Sequence, residues 1–529
     1  MIALSVLIWL PLAVALVGTA LPGVWSGRLA ALGSLVTLGL AVGLIGGFDT
    51  SVAGLQDVTD TVWIRELGVH YKLGVDGLNL FLLGLTALLF AAAFVASALR
   101  DWERPRTFFL HLGIAESAVL GAFCAQDLLL FVAFFDLMLI PFYFLCGGWG
   151  GRQRVAATTK LVIYTFVGSL LMLAAAIATA VLAKPDGGSL TFVLTDLQRL
   201  GLSKGSQEWI FICFAAAFLV KMPAFPLHGW MPDAYRAMPL PVLAVFSGVL
   251  SKVGAYGFLR IVLPLFPQAS AHFQTLMLLI ALASILYGSV MAFTQSDVRL
   301  IVGYSSVAQL GFITLGIFSL RPEGAQGALL QMVNHGLVVA PLFFIIGALA
   351  VRSGGSEDIR VMGGIALRAP VLAGLFLVVA LATLAMPGSS NFVGEFLILL
   401  GVFKAKIVIA IVAFSGVVLA SVYALRFFIR AMHNRTGERV RSFDLGAIDG
   451  VVIAPLVVVI LALALDPQVA ISRSRQTVDG QIAAAEQIAN PPGAAYGPVG
   501  AVSPPAGAAQ QVPQQGAGAP AGAGAGSGP

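Results

Sequence analysis

The chain has 529 residues, of which 59% are hydrophobic and only 10% are charged, with a formal net charge of +5. Ordinary soluble domains carry roughly 25% charged residues, so a soluble fold is excluded, and so small a net charge does not indicate nucleic-acid binding. Cys124, Cys146 and Cys213 lie in or beside apolar segments, without the paired spacing of zinc or iron–sulfur sites. The sequence has no nucleotide-binding or haem-binding motif, so we expect no metal and no cofactor in this chain.

Apolar segments of nearly uniform length recur along the chain. Each is long enough to cross a membrane as a helix, which takes about 20 residues. The pattern predicts an all-α integral membrane protein of about 14 transmembrane helices in the lipid bilayer. The predicted spans cover residues 2–21, 29–47, 77–98, 107–125, 128–148, 156–183, 208–228, 240–263, 272–294, 300–319, 326–350, 369–402, 406–430 and 450–470.

The loops predict an orientation. Arginines concentrate on one side of the predicted spans, and the opposite loop at 48–76 is acidic. Because Lys and Arg favour the cytoplasmic side, we expect a multi-pass protein of the cell (inner) membrane with both termini on the outer face. The Pro, Gly and Ala composition of the C-terminal tail predicts disorder over 471–529.

Two groups of five spans match each other in opposite orientations. The fourth span of each group, spans 7 and 12 of the chain, is broken, by KMPAFP at 221–226 and by MPGSSNFVGEF at 386–396. Paired broken helices in inverted halves point to an ion site near the middle of the membrane. The predicted division is 1–106 for helices 1–3, 107–263 for the first repeat, 272–430 for the second, 431–470 for a loop and helix 14, and 471–529 for the tail.

Five ionisable residues lie inside the predicted spans: Asp136, Lys221, Lys252, His335 and Glu395. A charged group at the bilayer centre costs about 2.5–3.5 kcal/mol unless it is paired or hydrated, so such residues point to a function. Burial favours the neutral form and pairing favours the charged form, so making or breaking a pair moves a proton. We therefore predict a proton path in which Asp136 and Lys221 form a switch, Lys252 and His335 a relay, and Glu395 the end.

Structural alternatives remain open for some of these residues. Asp136 and Lys221 could form a purely structural ion pair, but that would leave the other three residues unexplained. His335 alone could serve as an interhelical hydrogen-bonding residue.

Glu116, Lys160 and His228 are candidate auxiliary residues for proton transfer. Each also has a structural interpretation: Lys160 could reach the interface, His228 could be interfacial, and Glu116 is evenly balanced between the two. Arg260, near the end of span eight, is expected to reach the outer headgroups.

The motifs together resemble the antiporter-like membrane subunits of respiratory complex I, the NADH:quinone oxidoreductase, and among them the M-type. The resemblance covers roughly residues 60–430 and rests on YKLGVDGLNLFL at 71–82, DLMLIPFYFL at 136–145, KMPAFPLHGWMPDA at 221–234, SKVGAYGFLR at 251–260 and MPGSSNFVGEF at 386–396. It implies fourteen spans with two inverted repeats, and a proton-translocating subunit driven by quinone reduction elsewhere. It places FMN, iron–sulfur clusters and quinone in partner subunits, with L-type and N-type subunits as neighbours.

Glu395 separates close relatives, because the L-type and N-type subunits and the multisubunit cation/proton antiporters typically have lysine there. The apparent absence of a long amphipathic helix after span fourteen also argues against the L-type. Three residues depart from the family pattern. Asp136 replaces the usual glutamate and is one methylene shorter, so we expect its contact with Lys221 to be longer or bridged by water. Tyr235 and Gln309 replace histidines, which puts a proton-entry role for these two residues in doubt. A subunit of a multisubunit cation/proton antiporter remains the alternative function.

Overall fold

Long apolar helices make up most of the molecule, because a helix satisfies its own backbone hydrogen bonds where lipid cannot. The computed structural model describes residues 2–52, 54–437, 440–441 and 443–490, and it is 76% helical. The helices are α1 (Ile2–Gly18), α2 (Gly23–Gly47), α3 (Leu80–Ala98), α4 (Pro105–Cys124), α5 (Leu128–Leu137), α6 (Leu139–Trp149), α7 (Arg154–Ala183), α8 (Leu194–Leu200), α9 (Lys204–Lys221), α10 (Met231–Ala237), α11 (Leu240–Val245), α12 (Ser251–Gly257), α13 (Leu263–Leu265), α14 (Pro267–His272), α15 (Gln274–Thr294), α16 (Val298–Phe318), α17 (Pro322–Arg352), α18 (Pro370–Thr383), α19 (Ser390–Ala405), α20 (Ile407–Met432), α21 (Ala447–Leu465) and α22 (Gln468–Ala489).

Within the described ranges, 11 helices are long and apolar enough to cross a membrane. The three other predicted segments contain shorter or broken helices. Segment 2–21 contains α1, 208–228 overlaps α9, and 369–402 contains α18 and most of α19. The prediction of a many-helix membrane protein is therefore confirmed.

Three membrane-crossing helices lie at the centre of the bundle, since their most apolar stretches are wholly buried: Leu240–Leu265, α16 and α17. Leu240–Leu265 comprises α11, α12 and α13, joined by π-helical turns at Phe246–Leu250 and Phe258–Val262. In α2, α15, α20 and α21 less than half of the corresponding stretch is buried. The three central helices carry Lys252, Gln309 and His335, so these side chains lie inside the protein rather than on its lipid-facing surface.

Two helices are interrupted where the proline and glycine motifs predicted. Helix α9 ends at Lys221 and an irregular stretch leads to α10, while α18 ends at Thr383 and α19 begins at Ser390. The first break leaves the Val220 carbonyl without a helical partner, and the Trp230 indole N–H donates to it at 3.0 Å. The break is therefore stabilised by a buried side chain, as backbone at membrane depth requires.

The all-α prediction is wrong at one place. β1 (Gln56–Ile64) and β2 (Val69–Val75) form an antiparallel hairpin in the acidic loop, with Thr61 opposite Tyr71. The turn ends at Gly68, whose φ of +64° suits glycine. The high content of β-branched residues in β1, five of nine, was the available signal.

The predicted disorder of the tail is wrong for 471–489, because α22 covers these residues. Ser474, Val478, Ile482 and Ala485 are buried along one face of α22, at spacings of four, four and three residues. This face packs on α13, α14 and α17, which supplies the burial that the composition of the tail did not suggest. An amphipathic helix thus follows the last span, so its expected absence no longer argues against the L-type. The predicted disorder of 491–529 lies outside the described residues.

The expectation that Arg260 reaches the headgroups is also wrong. Its guanidinium is buried and contacts the Asp76 carboxylate at 2.6 Å. Arg260 also donates to the Tyr256 hydroxyl at 2.9 Å, and that hydroxyl donates to the Phe123 carbonyl at 2.9 Å. A buried carboxylate, distant in sequence, therefore satisfies the arginine instead of solvent.

Candidate functional site

Asp136 and Lys221 lie at the ends of two helices in the first half of the bundle. Asp136 is in the last turn of α5 and is half-buried, whereas Lys221 is the last residue of α9 and is buried. Within the described residues they form no direct ion pair, although each acts electrostatically on the other. Lys221 Nζ lies 4.5 Å from the centre of the Phe135 ring, and Asp136 Oδ1 is buried without a hydrogen-bond partner in the described structure. The described structure thus leaves the carboxylate and the ammonium group without a direct contact.

A small cavity separates Lys221 from the next lysine. Lys221, Tyr235 and Ser251 are among its lining residues. It has room for about one water molecule. Tyr235, which replaces the family's histidine, thus faces the same cavity as Lys221. The cavity connects the end of α9 to the start of α12.

Lys252 follows Ser251 and is fully buried. Its Nζ donates to the Ser247 carbonyl at 2.7 Å and to the Ser251 hydroxyl at 3.2 Å. Ser247 lies in the π-helical turn Phe246–Leu250, a distortion that frees carbonyls and often marks functional sites. Both recorded acceptors are neutral, so the structure holds Lys252 by hydrogen bonds to uncharged oxygens.

His335 lies near this π-helical turn, on α17. Gly336 and Gly248 bring the two backbones together, since a Cβ on Gly336 would lie 2.6 Å from the Gly248 carbonyl oxygen. His335 is buried, interacts electrostatically with Lys252, and has no partner for its Nδ1 in the described structure. The structure therefore brings together the second lysine and the histidine, as predicted.

Glu395, on α19, ends in a network of amides. Gln309 Nε2 donates to Glu395 Oε1 at 2.7 Å, and Gln331 Nε2 donates to Gln309 Oε1 at 2.7 Å. The other carboxylate oxygen is buried without a partner in the described structure. The Tyr423 hydroxyl is buried beside the same Gln309 and Glu395 side chains. Gln331 lies one helical turn before His335 on α17, so it connects the histidine region to Glu395.

Sequence reasoning missed part of this network. Gln309 was weighed only as a departure from the family, and Gln331 and Tyr423 were not singled out. Asn334, which donates to the Ser390 carbonyl at 2.7 Å beside the second helix break, was missed as well. The available signal was the run QMVNH, which places two amides within four residues of His335 in an apolar span.

The auxiliary candidates lie elsewhere. Glu116 is buried and accepts a hydrogen bond from the Ser34 hydroxyl of α2 at 3.0 Å. Lys160 contacts Asp233 at 2.9 Å, and more than a third of each side chain is exposed. His228 lies in the first helix break, with its ring 4.8 Å from that of Tyr287. None of these recorded contacts involves the five central residues in the described part of the chain.

A metal site is not evident in the described residues, where no group of three His, Cys, Asp or Glu side chains could hold an ion. Cys124, Cys146 and Cys213 are free thiols. The central residues are carboxylate, ammonium and imidazole groups, all of which can donate or accept protons.

A known protein family matches the part of the chain that holds the central residues. The sequence profile of the family described as NADH:quinone oxidoreductase/Mrp antiporter, transmembrane, matches residues 125–421. The chain belongs to this family. Residues 125–421 include all five central residues, so the buried series lies within the family's shared region. The resemblance found in the motifs is confirmed.

Several relatives in the family cover most of the chain. NADH-quinone oxidoreductase subunit M of Rhodobacter capsulatus is 37% identical over 446 residues, 82% of this chain and 86% of the relative. The subunit of the same name from Escherichia coli strain K12 is 37% identical over 464 residues, 84% of this chain and 91% of the relative.

Two solved structures share the fold of this chain. A chain of respiratory complex I from Thermus thermophilus with bound NADH superposes with a TM-score of 0.84 and 32% identity, over 92% of this chain and 99% of that chain. A chain of the Mrp complex from Dietzia sp. DQ12-45-1b has a TM-score of 0.75 at 20% identity, over 92% of this chain and 52% of that chain. At that identity the Mrp match shows a shared fold only.

Proposed function

We propose that this chain is the M-type membrane subunit of an NADH:quinone oxidoreductase and that it translocates protons, driven by quinone reduction in other subunits. The relatives from Rhodobacter capsulatus and Escherichia coli, both named subunit M, support this assignment. Glu395 supports it independently, since the other antiporter-like types typically carry lysine at that position. The chain then contributes to a translocase while the redox centres lie in its partners.

The observation that carries the proposal is the series of buried polar groups across the central helices. It begins at Lys221, crosses the cavity to Ser251 and Lys252, and continues to His335. The amides of Gln331 and Gln309 then lead to Glu395. Buried polar groups are costly in a membrane, so a series of them is expected where ions or protons move.

In this scheme the roles follow the geometry. Asp136 and Lys221 act as the switch, because they interact without a fixed contact and a small movement changes their charge balance. Lys252 and His335 relay the proton, and Glu395 receives it. Glu116, Lys160 and His228 have less support as auxiliary residues, since their recorded contacts lie elsewhere.

The proposal includes fourteen spans and two inverted repeats. Adding α1, α9 and the broken pair α18 and α19 to the 11 long apolar helices gives the predicted number of fourteen. In each proposed half the third span packs against the broken fourth, α7 against α9 and α17 against α19. The proposed units remain 1–106, 107–263, 272–430 and 431–470.

The assignment also implies a location and partners. We expect the chain in the inner membrane with both termini on the outer face, following the distribution of arginines. Its expected neighbours are the L-type and N-type membrane subunits, while FMN, iron–sulfur clusters and quinone belong to other subunits.

The test is Lys221→Ala in the assembled complex, with proton pumping measured alongside NADH oxidation. We expect a pumping loss of about tenfold or more, because an essential proton carrier is removed. Lys204→Ala is the matched control, since it removes a lysine from an exposed pair with Glu208 outside the proposed path and should leave pumping intact. Normal pumping by an assembled Lys221→Ala complex would refute the proposal.

A subunit of a stand-alone cation/proton antiporter is the second candidate, and the description of the matching family, which names the Mrp antiporter beside the oxidoreductase, supports it. Purifying the native chain with its partners distinguishes the two. Flavin and iron–sulfur subunits in the complex support the oxidoreductase, whereas exclusively small membrane proteins support the antiporter.

A further inference from the structure

A groove between α2, α3 and the start of α4 plays no part in the proposed proton path. Its volume is about 1310 Å³, including the space at its open mouth. Leu32, Leu35 and Val95 are among the apolar residues of its wall, and Arg28 and Arg100 also line it. The groove therefore combines a long apolar surface with two cationic groups.

Glycines let the helices meet closely at one end of this groove. A Cβ on Gly27 would lie 2.7 Å from the ring of Phe109, so α2 and α4 are in direct contact there. Farther along α2, Leu32 is 59% exposed and Leu35 is 46% exposed. An apolar ligand could therefore lie along α2 beyond the point where the helices meet.

The two arginines have no strong partner in the described structure. Arg28 is exposed and its recorded contact is with the ring of Trp25, at 5.1 Å from the centroid. Arg100 is 41% exposed and reaches the Asp449 carboxylate only at 3.8 Å. Asp101 also lines the groove, so its lining carries two positive charges and one negative charge.

Spacing along α2 matches an amphipathic ligand. Arg28 and Leu35 are seven residues apart, about 10 Å along a helix. Trp25, exposed beside Arg28, is the residue type that favours the headgroup level of a membrane. The charge of Arg28 thus lies at the level of the lipid headgroups, and the apolar surface around Leu35 lies at the depth of the acyl chains.

We propose that this groove binds a phospholipid with an anionic headgroup. Its phosphate lies between Arg28 and Arg100, and an acyl chain runs along Leu32, Leu35 and Val95. Guanidinium groups bind phosphate through paired hydrogen bonds, and basic pockets between membrane helices commonly accept anionic headgroups. The proposal does not depend on the proton path.

The test uses the assembled complex in nanodiscs of phosphatidylcholine with a minor fraction of phosphatidylglycerol. Native mass spectrometry then identifies the lipid retained per complex after gentle delipidation. We expect phosphatidylglycerol to be retained at least tenfold over its share in the nanodisc, and this enrichment to disappear in the Arg28→Gln/Arg100→Gln double variant. Arg368→Gln, which removes an exposed arginine outside the groove, is the matched control and should retain the lipid.

Two further experiments test the apolar part of the groove. Leu35→Trp fills the groove without changing its charge, so it should displace the lipid even if the double variant fails to assemble. A photoreactive side chain at position 35 should form a lipid adduct in the wild-type background. Equal enrichment in all variants, a crosslink to a protein subunit instead of lipid, or displacement of the lipid by inorganic phosphate alone would overturn the proposal.

Discussion

The buried ion pair between Asp76 and Arg260 leads to a quantitative prediction about stability. The pair has an N–O distance of 2.6 Å, and both side chains are about 95% buried, with side-chain exposures of 4% and 5%. Asp76→Asn preserves the shape but leaves the guanidinium without a counter-charge. Removing one partner of such a pair costs about 3–5 kcal/mol, which is roughly two to four powers of ten in the folding equilibrium.

A double-mutant cycle measures this coupling. Arg260→Gln alone should also be strongly destabilising, whereas Asp76→Asn/Arg260→Gln should cost much less than the sum of the two single changes. The readout is the midpoint of a reversible SDS titration of the full chain in mixed micelles, with recovery of assembled complex as a second measure.

Arg360 offers a matched control. Its contact with Asp358 has the same 2.6 Å distance, but the arginine side chain is 70% exposed. Arg360→Gln should therefore have little effect, because solvent already screens that pair. If Asp76→Asn behaves like Arg360→Gln, or if the two single costs simply add, the structural account of Arg260 is wrong.

Three further predictions concern the central network and one loop. Gln309→Leu removes the hydrogen-bond donor to Glu395, and such a bond is worth about 1.5–3 kcal/mol. The number of protons pumped per NADH oxidised should therefore fall about tenfold, whereas Gln309→His, which keeps a donor, should retain more pumping. Equal losses in the two variants would count against the role of the donor. Gly336→Ala forces α17 from the π-helical turn and should lower thermal stability, whereas Gly374→Ala, with nothing within 4 Å, should not; indistinguishable melting curves would contradict the close approach. Burial raises the pKa of Asp444, but backbone N–H donors from Val371, Leu372 and Leu445 outweigh it and keep the pKa below 3.8. The ionised Asp444 carboxylate therefore contributes its full stabilisation of the fold above pH 3.8. This stabilisation is lost as the pH falls through the lower pKa that Asp444 has in the folded state. Hydrogen exchange at 371–372, corrected for intrinsic rates, should show protection at about pH 5 that disappears at low pH. Asp444→Asn should be less protected than wild type at about pH 5 and should match it at low pH, since neither side chain is then charged.

The ionisable members of the central series could be predicted from the sequence because charge is rare and costly in a span. Lys252 and His335 stand out in apolar segments without any knowledge of packing. The helix breaks were equally visible, since proline cannot continue a helix. The sequence did not indicate which side chains would pack against each ionisable group.

Uncharged polar residues were harder to interpret, because a glutamine in a membrane helix has many roles. Gln309 becomes informative only when α16 and α19 place it against Glu395, 86 positions later. Arg260 was misinterpreted for a related reason. An arginine near the end of a span can reach water, and its burial depends on Asp76, 184 residues away.

The C-terminal helix α22 has a mechanical consequence. It packs on the π-helical turn Phe258–Val262 at the end of the first proposed repeat, and its Ser474 hydroxyl accepts a hydrogen bond from Gln326 of α17 in the second, at 2.8 Å. Just beyond the helix, Asn490 donates to the Leu320 carbonyl at 3.1 Å. A rocking motion between the halves would have to break these attachments in every turnover. Changes of side-chain rotamers and of water positions within a fixed helical framework would leave these contacts intact. The packing of α22 therefore favours proton transport by small internal movements.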